Sequence, residues 1–244
     1  MFRNRLRALF SRTPQRGVLP ENVSSPTDSG RRVAAAPRRG HHGFSGRGEP
    51  AEIVKHSRGL DQFVSSIRDE SGLSILDLGE ISQPNVTFIT NLGHRLYAVD
   101  FLRTLDSISM PDDPPGGPSQ RNRMEAFLEQ CLGFEAESLD GALVWDALQY
   151  LSRPLLLATV DRLYEILRPG SCLLALFQAR EPAGEVPVYS YRIADGGTFH
   201  LSERGRREPV QFFNNRAIET LFERFASVKF FLTQDNLREV VVRR

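Results

Sequence analysis

Ser74-Ile75-Leu76-Asp77-Leu78-Gly79 is a short apolar run that closes on an acid and a glycine, and its reading decides the fold. A run of this length bounded by a turn signal predicts a buried strand. Ser82-Gln83-Pro84 follows, and Pro84 suits the first turn of a helix. That helix is expected to reach Asn91 or Leu92 and to stop at Gly93, a usual C-terminal signal. Arg95-Leu96-Tyr97-Ala98-Val99-Asp100 is then a second apolar strand ending in an acid. Strand, glycine turn, helix and strand make one β–α–β unit. Its first turn offers a ligand the backbone N–H groups and positive dipole end of a helix N-terminus. Asp100 lies 21 residues beyond Gly79, where an acid at a strand end can accept hydrogen bonds from both ribose hydroxyls.

The pattern continues outward. Toward the N-terminus, Ile53, Leu60, Phe63, Val64 and Ile67 predict a helix through about Glu70, interrupted at Gly59. Residues 111–120, PDDPPGGPSQ, predict a loop. Met124 to Leu132 fits helix or strand. Asp140 to Trp145 reads as a buried strand, and Leu155 to Leu167 as an amphipathic helix stopped by Pro169-Gly170. Ser171 to Phe177 is a further strand. Val188–Ile193 and Thr198–Leu201, joined through Asp195-Gly196-Gly197, predict a β-hairpin. Asn215 to Phe225 predicts a helix with Asn214 or Asn215 as N-cap. Ala226–Leu232 and Glu239–Arg243 close the chain as strands around Asp235-Asn236. Strands alternating with helices imply a mostly parallel sheet covered on both faces.

Composition narrows the class. Net charge is +1, which gives no strong nucleic-acid signal. Residues 1–49 hold ten Arg and three acids, leaving the remainder net acidic. Residues 11–50, rich in Arg, Pro, Gly and Ser, bury too little to offset their ordering entropy, so 1–50 reads as a disordered tail. Within it, Phe2, Leu6, Leu9 and Phe10 recur at helical spacing among arginines. A short basic amphipathic helix over 2–12 would suit an anionic membrane surface or a targeting role, and a solvated tail is the plainer reading. Cys131 and Cys172 each sit in apolar runs. They suggest no disulfide framework or metal site, and they fit a reducing, cytoplasmic setting. No apolar stretch reaches the roughly 20 residues of a membrane span.

At this point a family resemblance carries the reading further. Ile75-Leu76-Asp77-Leu78-Gly79 resembles the first motif of class I S-adenosylmethionine-dependent methyltransferases, an acid-x-Gly-x-Gly loop after a hydrophobic strand. Asp100 matches the acid after the second strand. Leu139 to Leu151 resembles the fourth strand and the segment after it. Leu167-Arg168-Pro169-Gly170 resembles a Leu-x-Pro-Gly-Gly element, with Ser171 in place of the second Gly. The resemblance covers roughly residues 71–244. It implies a Rossmann-like α/β sandwich over 51–244, with a mostly parallel seven-stranded sheet, a reversed C-terminal β-hairpin and helices on both faces.

It further implies S-adenosylmethionine as cofactor. Asp77, Gly79 and Glu80 would line its methionine part, Asp100 would hold the ribose and Phe101 would pack on the adenine. Glu129, at the expected third strand end, would reach the adenine amino group. Trp145 and Asp146 would face the methyl-transfer centre. The segments 102–123 and 180–212 would build the acceptor pocket. The chain departs from the motif in one place: Ile81 stands where the second Gly is expected, and a β-branched residue tolerates positive φ poorly. The loop is therefore expected to have a different shape.

Methyl transfer needs mainly positioning of the nucleophile. Asp146 is the one candidate general base, and an acid there would equally serve as a helix cap. Tyr150 is expected to face the core, and His94 to interact with a helix C-terminus. His41 and His42 lie in the tail. Three readings follow. The first is a methyltransferase acting on an unidentified acceptor. The second is a catalytically inactive binding or scaffold protein of the same fold. The third is a nicotinamide-dependent oxidoreductase, against which the single-glycine loop and the terminal strand pair speak.

Overall fold

The structure, a computed structural model, describes residues 52–108, 118–232 and 237–244. The expected tail 1–50, its helix over 2–12, His41 and His42, most of the 111–120 loop and the Asp235-Asn236 turn lie outside these residues. Chain order runs β1 (Ile53–His56), α1 (Arg58–Ile67), β2 (Ser74–Asp77), α2 (Gln83–Asn91), β3 (Arg95–Ala98), α3 (Phe101–Ile108) and α4 (Pro118–Leu132). It continues with β4 (Leu139–Trp145), a 3-10 turn (Ala147–Tyr150), α5 (Arg153–Ile166), β5 (Leu167–Gln178), β6 (Val186–Asp195) and β7 (Thr198–Arg207). The last elements are α6 (Asn215–Leu221), β8 (Ser227–Leu232) and β9 (Leu237–Arg243).

A six-stranded sheet has the order β3-β2-β4-β5-β9-β8. Its first four strands are parallel, and β9 and β8 return antiparallel as the expected terminal hairpin. This is a Rossmann-like α/β layout, with six strands rather than seven. Met124 to Leu132, where the third strand end was sought, is the second half of α4.

Period-two alternation splits the strand residues between two cores. Leu76, Ala142, Leu173 and Val242 face a core shared with α3, α4, α5 and α6. Ile75, Leu143, Leu174 and Val241 face a second core shared with α1, Tyr191, Phe199 and Leu201. The second face is thus covered partly by the β6–β7 hairpin, which pairs with β1 in a three-stranded antiparallel sheet.

Three helix starts follow from side-chain caps. Ser57, Ser82 and Asn214 each accept from a backbone N–H of their helix's first turn, at 2.9, 3.3 and 2.8 Å. The single helix expected from Ile53 to Glu70 is instead strand β1 followed by α1, because the Ser57 cap fixes the helix start. Gly59 is no imperfection: a Cβ there would lie 2.9 Å from Leu174 Cδ1, so its absence lets α1 lie flat on the sheet. Strand β5 begins at Leu167 and takes in Pro169-Gly170, whereas the expected strand started at Ser171.

Candidate functional site at the strand ends

The parallel strands β2 and β4 end side by side, and β3 lies on the other flank of β2. Their carboxyl ends bring Gly79, Glu80, Asp100, Trp145 and Asp146 around one small space, together with Tyr189, Tyr191 and Arg204 of the hairpin. Five of the eight expected cofactor residues therefore meet here, and a sixth, Asp77, bonds directly to two of them.

Asp77 is buried. Its Oδ1 accepts from Gly79 N at 2.9 Å and from Trp145 Nε1 at 2.7 Å. Its Oδ2 accepts from Asn85 Nδ2 at 2.8 Å. Burial pushes the Asp77 carboxyl above the ordinary carboxylate range, and the three hydrogen bonds oppose that rise. Asn85 also donates to the Tyr191 carbonyl at 3.0 Å and accepts from Ile193 N at 2.7 Å. One amide thus ties α2, β2 and β6 together.

Trp145 ends β4 with φ +52°. A bulky residue in the left-handed region costs on the order of 1–3 kcal/mol and persists only where its surroundings hold it. Here the Asp77 hydrogen bond and a stack on Tyr191, 4.7 Å between centroids at 7°, hold it. The indole lies directly on Gly79, where a Cβ would be 2.9 Å from Trp145 Cδ1 and Nε1. Close approach to the Gly79 backbone was expected of a ligand. In the structure the protein's own tryptophan makes it.

Asp100 differs. Its carboxylate is only part-buried and takes both Nη atoms of Arg204, at 2.9 and 3.5 Å, while Glu80 lies 3.8 Å from Arg204 Nε. Arg204 is placed by a β-bulge: Val188 pairs with Gly205 and Tyr189 with Glu203, leaving Arg204 as the unpaired extra residue. Such a bulge re-aims a side chain.

Asp146 is buried, and Tyr150 donates to its Oδ2 at 3.2 Å. Burial pushes its carboxyl up to about 6, opposed by hydrogen bonds including that of Tyr150 and by the charge of Arg204. A carboxyl in this range can take up and release a proton near neutrality. Tyr150 is buried, as expected, and Arg207 stands over its ring. His94 is buried and does not line the strand-end space.

Two expected residues are not in the site. Phe101 is fully buried against Phe127 on the other side of the sheet, because it opens α3 with its side chain turned into the first core. Glu129 is an exposed residue of α4. Sequence reasoning missed Asn85, Tyr191 and Arg204. The acceptor segments also behave differently from expectation: residues 186–207 form the hairpin that packs on the strand ends. No group of His, Cys, Asp and Glu that could hold a metal occurs among the described residues. Both cysteines are free and buried. No described helix is long and apolar enough to cross a membrane.

No family model matches the chain, and no curated protein is similar to it. Among solved structures, it is similar to 1,6-didemethyltoxoflavin-N1-methyltransferase of Burkholderia thailandensis, a structure that holds S-adenosylhomocysteine. The identity is 13%, over 77% of this chain and 79% of that one, with a TM-score of 0.42. A SAM-dependent methyltransferase of Aquifex aeolicus matches at 12% identity over 75% and 88% of the two chains, with a TM-score of 0.38. One from Methanosarcina mazei matches at 14% over 72% and 93%, with a TM-score of 0.35. The identities and scores are low, and the fold assignment above rests on strand order and connection.

Proposed function

We propose that this chain is an S-adenosylmethionine-dependent methyltransferase in kind, acting on an unidentified acceptor, with Asp77, Gly79 and Asp100 as its cofactor-holding residues. One observation carries the reading. Adjacent parallel strands deliver Asp77-Leu78-Gly79 and Asp100 to a single space beside the N-terminus of α2, the place where open α/β sheets bind ligands.

The side chains as they stand do not fit the cofactor. The free volume between the strand ends is about 10 Å³, which is at most one water. Small-molecule sites hold roughly 300–1,000 Å³. Arg204 occupies the carboxylate that would take the ribose, and Trp145 lies on the glycine that a methionine part would approach. The closure supports a second reading, a catalytically inactive binding or scaffold protein of this fold.

Calorimetric titration with S-adenosylhomocysteine separates the two. The methyltransferase reading expects weak binding to the wild-type chain and clearly tighter binding to Arg204→Ala, which frees Asp100. Absence of binding to both at millimolar ligand sinks the methyltransferase reading and leaves the inactive one.

A further inference from the structure

A second cavity, about 270 Å³, opens between α3 and β7 beside the closed site. Arg103, Arg204, Arg206 and Arg207 line it, and Asp106 is its one acidic lining residue. Guanidinium forks match the paired oxygens of a phosphate better than any other side chain does. Three of the four are already engaged by acids. Arg204 is held by Asp100 and Glu80, Arg206 lies 3.6 Å from Glu203, and Arg207 is paired with Asp106. Each engagement uses only part of a five-donor fork. The Asp106 and Glu203 carboxylates are half-exposed, so those pairs are weak and exchangeable. Arg103 has no ion-pair partner among the described residues.

Arg204 belongs to both cavities. An oxyanion seated among Arg103, Arg206 and Arg207 would therefore compete with Asp100 for the same guanidinium.

We propose that the α3–β7 cleft is a subsite for a phosphomonoester group on a small molecule, and that an oxyanion there draws Arg204 off Asp100 and so opens the cofactor position. The inference rests on the methyltransferase reading above, and it identifies the acceptor class as phosphorylated. The two cavities are then coupled, and the coupling is reciprocal: the anion tightens the nucleoside ligand and the nucleoside ligand tightens the anion. The size of the cleft suits one phosphate and a few further atoms rather than a polymer.

The test uses the full chain, inorganic phosphate as probe and S-adenosylhomocysteine as nucleoside ligand, with ionic strength held constant by chloride. Phosphate is expected to tighten S-adenosylhomocysteine about tenfold, an ordinary size for coupled sites. Arg103→Ala and Arg206→Ala should abolish the gain, and Asp106→Asn should lower the phosphate concentration needed. Arg204→Ala should bind S-adenosylhomocysteine tightly without phosphate and ignore its addition. Arg153→Ala, on α5 and outside the cleft, should behave as wild type. Nucleoside binding that phosphate leaves unchanged overturns the subsite while the cofactor reading stands. Failure of every variant to bind S-adenosylhomocysteine overturns both. Tight oligonucleotide binding through the same arginines, with no phosphate effect, would assign the cleft to nucleic acid and overturn the proposal.

Discussion

Asp77 and Asp100 end neighbouring strands of one β–α–β unit, yet the protein holds them in opposite ways. Asp77 is sealed in the second core, with three donors on its two oxygens and a strained tryptophan as one of them. Asp100 sits at the edge of that core, and an arginine delivered by a bulge satisfies it. The first arrangement is part of the fold. The second can be exchanged without disturbing any buried apolar contact. The difference locates where a closed site could open: at Arg204 first, with Trp145 following only if Asp77 is offered a substitute donor.

The comparison can be broken at several points. The largest effect is expected from Asp77→Ala, which strands the Trp145 indole N–H and one Asn85 donor. Buried donors left unpaired cost about 1–3 kcal/mol each, and relief of the buried carboxylate offsets part of that. A loss of about 2–4 kcal/mol in urea unfolding is expected, and a loss below about 1 kcal/mol would mean that Asp77 is not locked.

Next comes a pH effect at Asp146. Its folded-state pKa is raised to about 6 from an ordinary 3.8. Its contribution to stability is therefore full below about pH 4 and lost as pH rises through 6. Asp146→Asn should flatten this part of the stability profile between pH 4 and 6, a difference on the order of 2–3 kcal/mol. Superimposable wild-type and variant profiles would contradict the burial argument.

Gly79→Ala sets a Cβ against the indole and should cost about 1–3 kcal/mol through overpacking. The smallest effect is expected from Arg204→Ala, a part-exposed ion pair worth under about 1 kcal/mol. A loss as large as that of Asp77→Ala would erase the distinction between the two strand ends.

Much of this was legible in the sequence. Strands β2, β3 and β4 stood out as apolar runs with acids at their ends, and Gly79, Asp100, Trp145 and Asp146 were singled out for positions the fold does bring together. The misreadings have physical causes. Strand β1 is four residues long and mostly exposed, and its partner β7 lies about 145 residues on. Local periodicity therefore favoured a helix. Asn85 follows Pro84 in a first helical turn and reads as helix initiation, so its role in joining β2 to β6 depends on contacts far away in sequence. Arg204 lies in a polar run at the end of β7, and only the bulge directs it to Asp100. Phe101 and Glu129 were assigned by resemblance to strand-end positions, and the turns of α3 and α4 send them elsewhere.

The chain contains one tryptophan, and it sits in the site. Its fluorescence during titration with S-adenosylhomocysteine tests the central claim directly. If the strand ends form a nucleoside site closed by Arg204 and Trp145, ligand must lift the indole from Gly79, and emission should shift to longer wavelength. Arg204→Ala should show that shift at lower ligand concentration than wild type. Emission that stays fixed in both proteins, through millimolar ligand, would contradict the account.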